Sequence, residues 1–444
     1  MSHVFPRHCH AALPTVATGE GPYLIDTDGK RYLDACGGAA VSCLGHSPTP
    51  VLEAAKTQLD QIAWAHSSFF TSEPAERLAD MLIERAPEGI DRVYFVSGGS
   101  EAVEAAIKLA RQYHMERGEG QRSRIIARWQ SYHGNTLGAL AAGGNRWRRA
   151  QFEPLLTDAM SHIDPCHYWR WGQPGETPEA YGHRVADQLE ARIQELGSDT
   201  VAAFIAEPVV GATMGAVPAV PGYFKRIREI CDRHGVLLIL DEVMCGMGRT
   251  GRWFACEDDG ISPDMVCIAK GLGAGIQPIG AMLCTGEIYD TIAGGSGFFQ
   301  HGHTYLGHPA ACAAGAAVLN EVDGRDLLTN VREKGEALQQ ALETRLGQHP
   351  HVGDIRGRGL FRGVEIVADR ETNAPFNPSL GLAAKLKKRA FADGLMVYPM
   401  AGSVDGQHGD HVLIAPPFII DDDHIAQITD KLSTALESVL TEAA

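Results

Sequence analysis

The 444-residue chain has no apolar run long enough to cross a bilayer. The longest candidate, Pro309–Leu319, is mostly alanine and falls well short of the roughly 20 residues a span needs. The opening residues, MSHVFPRHCH, lack the continuous apolar core of a secretory signal. Ten cysteines are scattered with no C-x-x-C pair and no zinc-finger spacing, so reduced thiols in a cytoplasmic protein are expected rather than a disulfide framework. Basic residues are in deficit. Lys and Arg total 39 against 55 Asp and Glu, a net charge of −16, which disfavours nucleic-acid backbones and anionic membrane surfaces as partners. No repeat or low-complexity tract appears, and the 50 glycines and 23 prolines are spread along the whole length.

What the chain does contain is ordinary globular material, 44% hydrophobic and 21% charged, enough for two or three domains at about 150 residues each. Short aliphatic runs read as strands: Val93–Val96, Arg124–Ala127, Val201–Ala206, Val236–Leu240 and Met265–Ile268. All lack polar alternation, which suits strands covered on both faces. Amphipathic stretches between them, such as Glu101–Arg117, Tyr181–Leu196 and Gly222–His234, read as helices. The succession predicts an α/β fold, a large domain whose mostly parallel sheet is covered by helices. After about residue 320 the pattern becomes α+β: a helix over Leu327–Leu346, a strand from Gly359, a helix over Leu380–Asp393, short strands at Leu395–Tyr398 and Val412–Ala415, and a last helix from Asp421. A large domain over 61–320 and a smaller one over 321–444 are expected, with residues 1–60 packing on the smaller through a hairpin turned at Asp28-Gly29.

Several polar residues fall just past these strand ends, where open parallel sheets bind ligands. Ser97–Glu101 (SGGSE) joins a strand to a helix, so backbone N–H groups and the helix dipole would favour an anion at Gly99 and Ser100; the same turn also reads as a simple helix cap. Asp241 ends its strand and is suited to pair with a protonated ring nitrogen, although acidic residues also end strands for solubility alone. Lys270 follows Val266–Ala269, where desolvation would lower its pKa as an imine-forming amine requires. Tyr132 and His133 precede Gly134, an arrangement open to stacking on a planar ring or to plain core packing. Gly246–Gly251 matches G-x-G-x-x-G but stands apart from its strand and opens no apolar helix, so a dinucleotide site is rejected. His301, His303 and His308 lack matched Cys or carboxylate donors, so no metal is expected.

Together the segments Ser97–Ala102 (SGGSEA), Tyr132–Gly134 (YHG), Glu207–Gly211 (EPVVG), Leu240–Gly251 (LDEVMCGMGRTG), Ala269–Leu272 (AKGL), Gly302–Tyr305 (GHTY) and Arg358–Gly363 (RGLFRG), with Tyr32–Asp34 and Gly45-His46 before them, resemble the class III aminotransferases. These enzymes depend on pyridoxal 5′-phosphate and have the fold type I architecture. The resemblance implies that Lys270 carries the cofactor and moves the proton, and that Asp241 holds its ring nitrogen. It implies Val243 and Tyr132 on the two ring faces, Gly99 and Ser100 at the phosphate, His133 among the cofactor-binding residues, and Glu207 near the substrate entrance. Thr304 would reach the phosphate of a neighbouring subunit, implying a homodimer or a dimer of dimers with shared sites.

The expected activity is transfer of an amino group from a primary amine or ω-amino acid to a 2-oxo acid, pyruvate or 2-oxoglutarate. A decarboxylase or aminomutase of the same family, or a non-catalytic cofactor-binding protein, stands as the alternative. Two departures bear on substrate. The stretch Gly402–His411 (GSVDGQHGDH) has no arginine where many relatives carry one, and Asn135 stands where relatives acting on 4-aminobutyrate have another. Neither 4-aminobutyrate nor ornithine is therefore assigned. His408, Arg146, Arg148 and Arg149 remain as carboxylate-binding candidates, and Phe69 and Phe70 as an apolar wall or, alternatively, core residues.

Overall fold

The computed structural model describes residues 3–443. Its centre is a seven-stranded sheet in the order Ile90–Val96, Gly280–Thr285, Met265–Ile268, Leu237–Asp241, Val201–Ala206, Arg124–Arg128, Met160–Ile163. The last five pair in parallel, and Gly280–Thr285 runs antiparallel to both of its neighbours. The three central strands Val201–Ala206, Leu237–Asp241 and Met265–Ile268 are buried throughout. Their side chains alternate between two cores, as the two-residue strand period requires. Phe204, Leu238, Leu240, Val266 and Ile268 pack with Val185, Leu189, Phe224 and Ile227 of the helices Pro178–Leu196 and Tyr223–His234. Ala203, Ile205, Leu237, Ile239 and Met265 pack on the other face, with Val103, Leu109 and Tyr113 of the helix Gly99–Glu116. An unbroken apolar run thus marks a strand covered twice.

The later residues form a separate antiparallel sheet in the order Val352–Arg358, Phe361–Ile366, Asp410–Ile414, Tyr398–Ala401. Leu338 and Leu342 of the helix Leu327–Leu346, Leu386 of Leu382–Ala392 and Ile428 and Leu432 of Asp422–Ala443 share a core with its Val364, Val412 and Ile414. Near the start of the chain, Tyr23–Asp26 and Arg31–Asp34 form the expected hairpin. The Asp26 carboxylate accepts from the Asp28 and Lys30 N–H groups across its turn. Arg31–Asp34 then pairs in parallel with Leu395–Met396.

Two departures from the sequence reading have plain causes. Gly280–Thr285 (GAMLCT) and Met160–Ile163 (MSHI) are strands that small and polar residues conceal. The single strand expected over Leu395–Tyr398 is two, Leu395–Met396 in the N-terminal sheet and Tyr398–Ala401 in the C-terminal one. Pro399 is tolerated because its strand lies at a sheet edge.

A buried ionic cluster fastens the C-terminal sheet to the segment after Glu207. Glu365, fully buried, accepts from Arg356 Nη2 at 2.6 Å and from Arg170 Nη2 at 2.7 Å. Arg356 also donates to the carbonyls of Met214 and Gly215. Burial alone would raise the Glu365 carboxyl, but the positive field of Arg356 and its neighbours holds it at about 2. Removing one partner of such a cluster costs about 3–5 kcal/mol. Arg356→Met should therefore lose at least about 3 kcal/mol of unfolding free energy at neutral pH, read from denaturant midpoints. Glu365 has a folded pKa below its unfolded value of about 4.3, so its contribution is present above that value and lost as pH falls toward about 2. The gap between wild type and variant should narrow over that window; a constant gap would show that the ion pairs contribute nothing.

Candidate active site

The sheet brings the polar strand-end residues to one edge. Asp241 pairs in register with Cys267 on the adjacent parallel strand, and Lys270 follows three residues on. Gly280 pairs with Val96, which sets the Ser97–Ser100 turn beside them. Gly99, Ser100, Tyr132, His133, Glu207, Asp241, Val243 and Lys270 all line a single cavity of about 450 Å³. Of the residues expected to hold the cofactor, Thr304 alone does not line it. It sits on an exposed turn, where its carbonyl accepts from Trp64 Nε1 at 3.3 Å. Val41, Met244 and the loop residues Gly275, Gln277, Pro278 and Ile279 complete the wall and went unnamed; the glycine-rich run after Lys270 was the available signal.

The Asp241 carboxylate is fixed at both oxygens, Oδ2 to His133 Nδ1 at 2.8 Å and Oδ1 by the Val243 N–H at 3.0 Å. His133 Nε2 is buried with no partner among the described residues. Glu207, 4% exposed, accepts from the N–H groups of Tyr132 and Gly211 and so ties the Tyr132 loop to its own strand end. Burial raises the Glu207 pKa, with Asp241 adding and His133 opposing. Lys270 is half-buried in the cavity wall, and its pKa falls from 10.5 to about 8. Desolvation by the surrounding protein dominates, and the carboxylates of Asp241 and Glu207 restrain the fall. Its backbone sits at φ 46°, a left-handed conformation that costs a non-glycine residue roughly 1–3 kcal/mol and clusters at functional sites.

One end of the cavity is the start of the helix Gly99–Glu116, whose first N–H groups have no intrahelical partner and would suit an anion. A Cβ on Gly99 would lie 2.6 Å from Val243 Cγ1, so only glycine lets the turn approach that side chain. Gly134 has φ 139°, and a Cβ there would lie 2.7 Å from Ser100 Oγ. The Ser100 hydroxyl accepts from the Asn135 N–H, which leaves its own O–H available as a donor.

The remaining sequence candidates disperse. Phe69 and Phe70 are 79% and 68% exposed, so they are not core residues and neither lines this cavity. Arg149 turns inward onto the carbonyls of Leu140, Ala141 and Gly143. His408 is held by Asp405 at 2.7 Å, and Arg146 stacks on Trp129 at 4.2 Å. Arg148 lies 4.7 Å from the Tyr132 ring centroid. The three histidines go separate ways: His303 meets Ser97 Oγ, His308 caps the helix Pro309–Gly324, and His301 packs near Tyr94. Gly246–Gly251 forms turns without a helix, its Gly248 and Gly251 packed on Phe418 and Arg332.

The Aminotransferase class-III family model matches residues 4–436. An uncharacterized aminotransferase of Schizosaccharomyces pombe is 44% identical over 431 residues, covering 96% of this chain and 93% of that protein. An (S)-enantioselective omega-transaminase from Thermomicrobium roseum superposes with TM-score 0.92 at 35% identity, over 99% of this chain and 96% of that one. The PMP-bound form of an aminotransferase from Vibrio fluvialis does so with TM-score 0.90 at 33% identity, over 97% and 94%. The chain belongs to the class III aminotransferases, and it is an enzyme of that family.

The Gly99 contact yields a direct test. Gly99→Val should displace Val243 into the cavity and weaken stabilisation of the protein by inorganic phosphate about tenfold or more, a cost of about 1–3 kcal/mol. Adding Val243→Ala should recover part of the loss. Equal phosphate stabilisation of wild type and Gly99→Val would refute the anion cradle.

Proposed function

We propose that the enzyme is a pyridoxal-phosphate-dependent aminotransferase that moves an amino group from a primary amine or ω-amino acid to a 2-oxo acid such as pyruvate or 2-oxoglutarate. The carrying observation is the convergence of an anion-binding helix start, an aromatic wall, an oriented carboxylate and a desolvated lysine on one cavity. These residues fit pyridoxal phosphate: Gly99 and Ser100 suit its phosphate, Tyr132 and Val243 its ring faces, and Asp241 its ring nitrogen. When bound, that group supplies an aldehyde that condenses with amines and a ring that accepts electrons from the substrate carbon.

The protein's own residues do the rest. His133 and the Val243 N–H keep the Asp241 carboxylate oriented, so it would hold a ring nitrogen without reorganising. Lys270, with a pKa of about 8, is near enough to neutrality to act as a nucleophile and to take and return the substrate's Cα proton. Glu207 braces the Tyr132 loop at the entrance.

A second copy of the chain belongs to this reading. Trp64, Phe69, Phe70, Phe298 and Tyr305 are exposed apolar side chains in the same two stretches that carry Trp64 and Thr304, which supports a homodimer, or a dimer of dimers, with Thr304 serving the neighbouring site. Ten free cysteines, nine of them buried, support a cytoplasmic setting. Among the described residues no helix is long and apolar enough to cross a membrane.

The test is a half-reaction. Purified holoenzyme mixed with one amine at a time should lose the visible absorbance of its cofactor without releasing carbon dioxide, and a 2-oxo acid should restore it. Lys270→Ala should slow conversion by about 10²–10⁴-fold. Wild-type turnover in that variant, or carbon dioxide release, would contradict the assignment. Recapture of cofactor by stripped protein should accelerate as pH rises through about 8, because only the neutral amine attacks. A midpoint near 10.5 would mean that Lys270 is solvated.

A further inference from the structure

We infer that a second hollow, separate from the Lys270 cavity, binds a zwitterionic α-amino acid, with Arg146 taking its carboxylate and Asp164 its ammonium group. The hollow has a volume of about 660 Å³ and shares no lining residue with the Lys270 cavity. That size is ordinary for a small-molecule site. It lies where open sheets bind ligands, beyond the carboxyl ends of parallel strands. Arg124–Arg128 and Met160–Ile163 pair in parallel, with Arg128 opposite Ile163. The next residues, Trp129 and Asp164, both line the hollow, and the Trp129 N–H donates to the Ile163 carbonyl at 2.8 Å. Gln130, also in the wall, has φ 58°, a left-handed conformation that strains a non-glycine residue and gathers at functional sites.

Two pairs of opposite charges line the hollow, and one pair is already spent. Arg184 is held by Glu176, and the Asp405 carboxylate accepts from His408 Nδ1 and from the Gln407 and His408 N–H groups. Arg146 and Asp164 are free. Among the described residues the Arg146 side chain makes no hydrogen bond or ion pair, and its guanidinium lies over the Trp129 ring at 4.2 Å. A guanidinium held by its face on an aromatic ring keeps its edge N–H groups available for the two oxygens of a carboxylate. Its stem is held by the loop after Gly402: a Cβ on Gly406 would lie 3.1 Å from Arg146 Cβ. Asp164 has no cation at ion-pair distance among the described residues. Its Oδ2 accepts from Gln188 Nε2 at 3.0 Å, and its N–H donates to Gln188 Oε1 at 2.9 Å, which orients the carboxylate and leaves Oδ1 without a partner. One free cation and one free anion in the same hollow match a ligand that carries both signs. A simple anion or a simple amine would leave one of them unanswered. Pro165, Trp171 and Val185 supply an apolar wall for the ligand's side chain.

The probe is L-leucine, titrated calorimetrically into borohydride-reduced holoenzyme, in which the Lys270 amine is blocked and its cavity filled. Leucine should bind to a single class of site. 4-Methylpentanoate and L-leucinamide, each lacking one of the two charges, should bind about tenfold more weakly or worse. Arg146→Gln and Asp164→Asn should each weaken leucine about tenfold or more, with Arg146→Lys intermediate. Both side chains are exposed, so thermal midpoints should stay at the wild-type value. In the half-reaction with an uncharged amine both variants should convert at the wild-type rate, because neither residue lines the Lys270 cavity. No leucine binding by the wild type, unchanged affinity in either variant, or equal binding of a singly charged analogue would overturn the inference. So would slowed conversion of the uncharged amine in both variants, which would place the hollow on the substrate path.

Discussion

A partly desolvated lysine amine, at the edge of a buried sheet and within the field of two carboxylates, is the constraint on which the rest of the molecule depends. Burial disfavours the charged ammonium, and Asp241 and Glu207 restrain that tendency, leaving the amine at about 8 instead of 10.5. Had burial acted alone the amine would lie lower still; in open solvent it would stay protonated at neutral pH. The balance requires the protein to hold two acids and a base in one pocket. It does so at the ends of buried strands.

The surrounding architecture serves that balance. Parallel strands present their carboxyl ends on one side, and the register of Asp241 with Cys267 fixes how far Lys270 extends beyond its neighbour. His133, 108 residues from Asp241 in the chain, holds the carboxylate in one orientation. The glycines at 99 and 134 matter for the space they leave, since a methyl group at either would meet Val243 or Ser100. Farther out, the Arg356–Glu365–Arg170 cluster ties the C-terminal sheet to the Met214 and Gly215 carbonyls of the segment after Glu207, although no residue of that cluster lines the cavity.

Much of this was legible in the sequence because burial on both faces leaves a simple trace. Val201–Ala206, Leu237–Asp241 and Met265–Ile268 have no polar residue before their ends, and the cavity-lining Glu207, Asp241 and Lys270 come where each apolar run stops or just after. Gly280–Thr285 escaped notice because it is inserted antiparallel and built of small residues, and the run at Leu395 changed sheet too quickly for any period to show. Side-chain pairing over long separations left no trace either. Nothing in the order of residues distinguishes Arg148 from Arg146 or Arg149; only the fold turns one onto Trp129, one into backbone carbonyls and one over Tyr132. The same limit applied to Phe69 and Phe70, whose exposure is a property of the folded surface.

The central claim is that position 270 supplies the amine that holds the cofactor. It is tested most directly by reducing purified holoenzyme with borohydride and mapping the modified peptide by mass spectrometry. The account predicts the reduced cofactor on Lys270 alone. Attachment to any other lysine, or a cofactor that stays fully extractable after reduction, would contradict it.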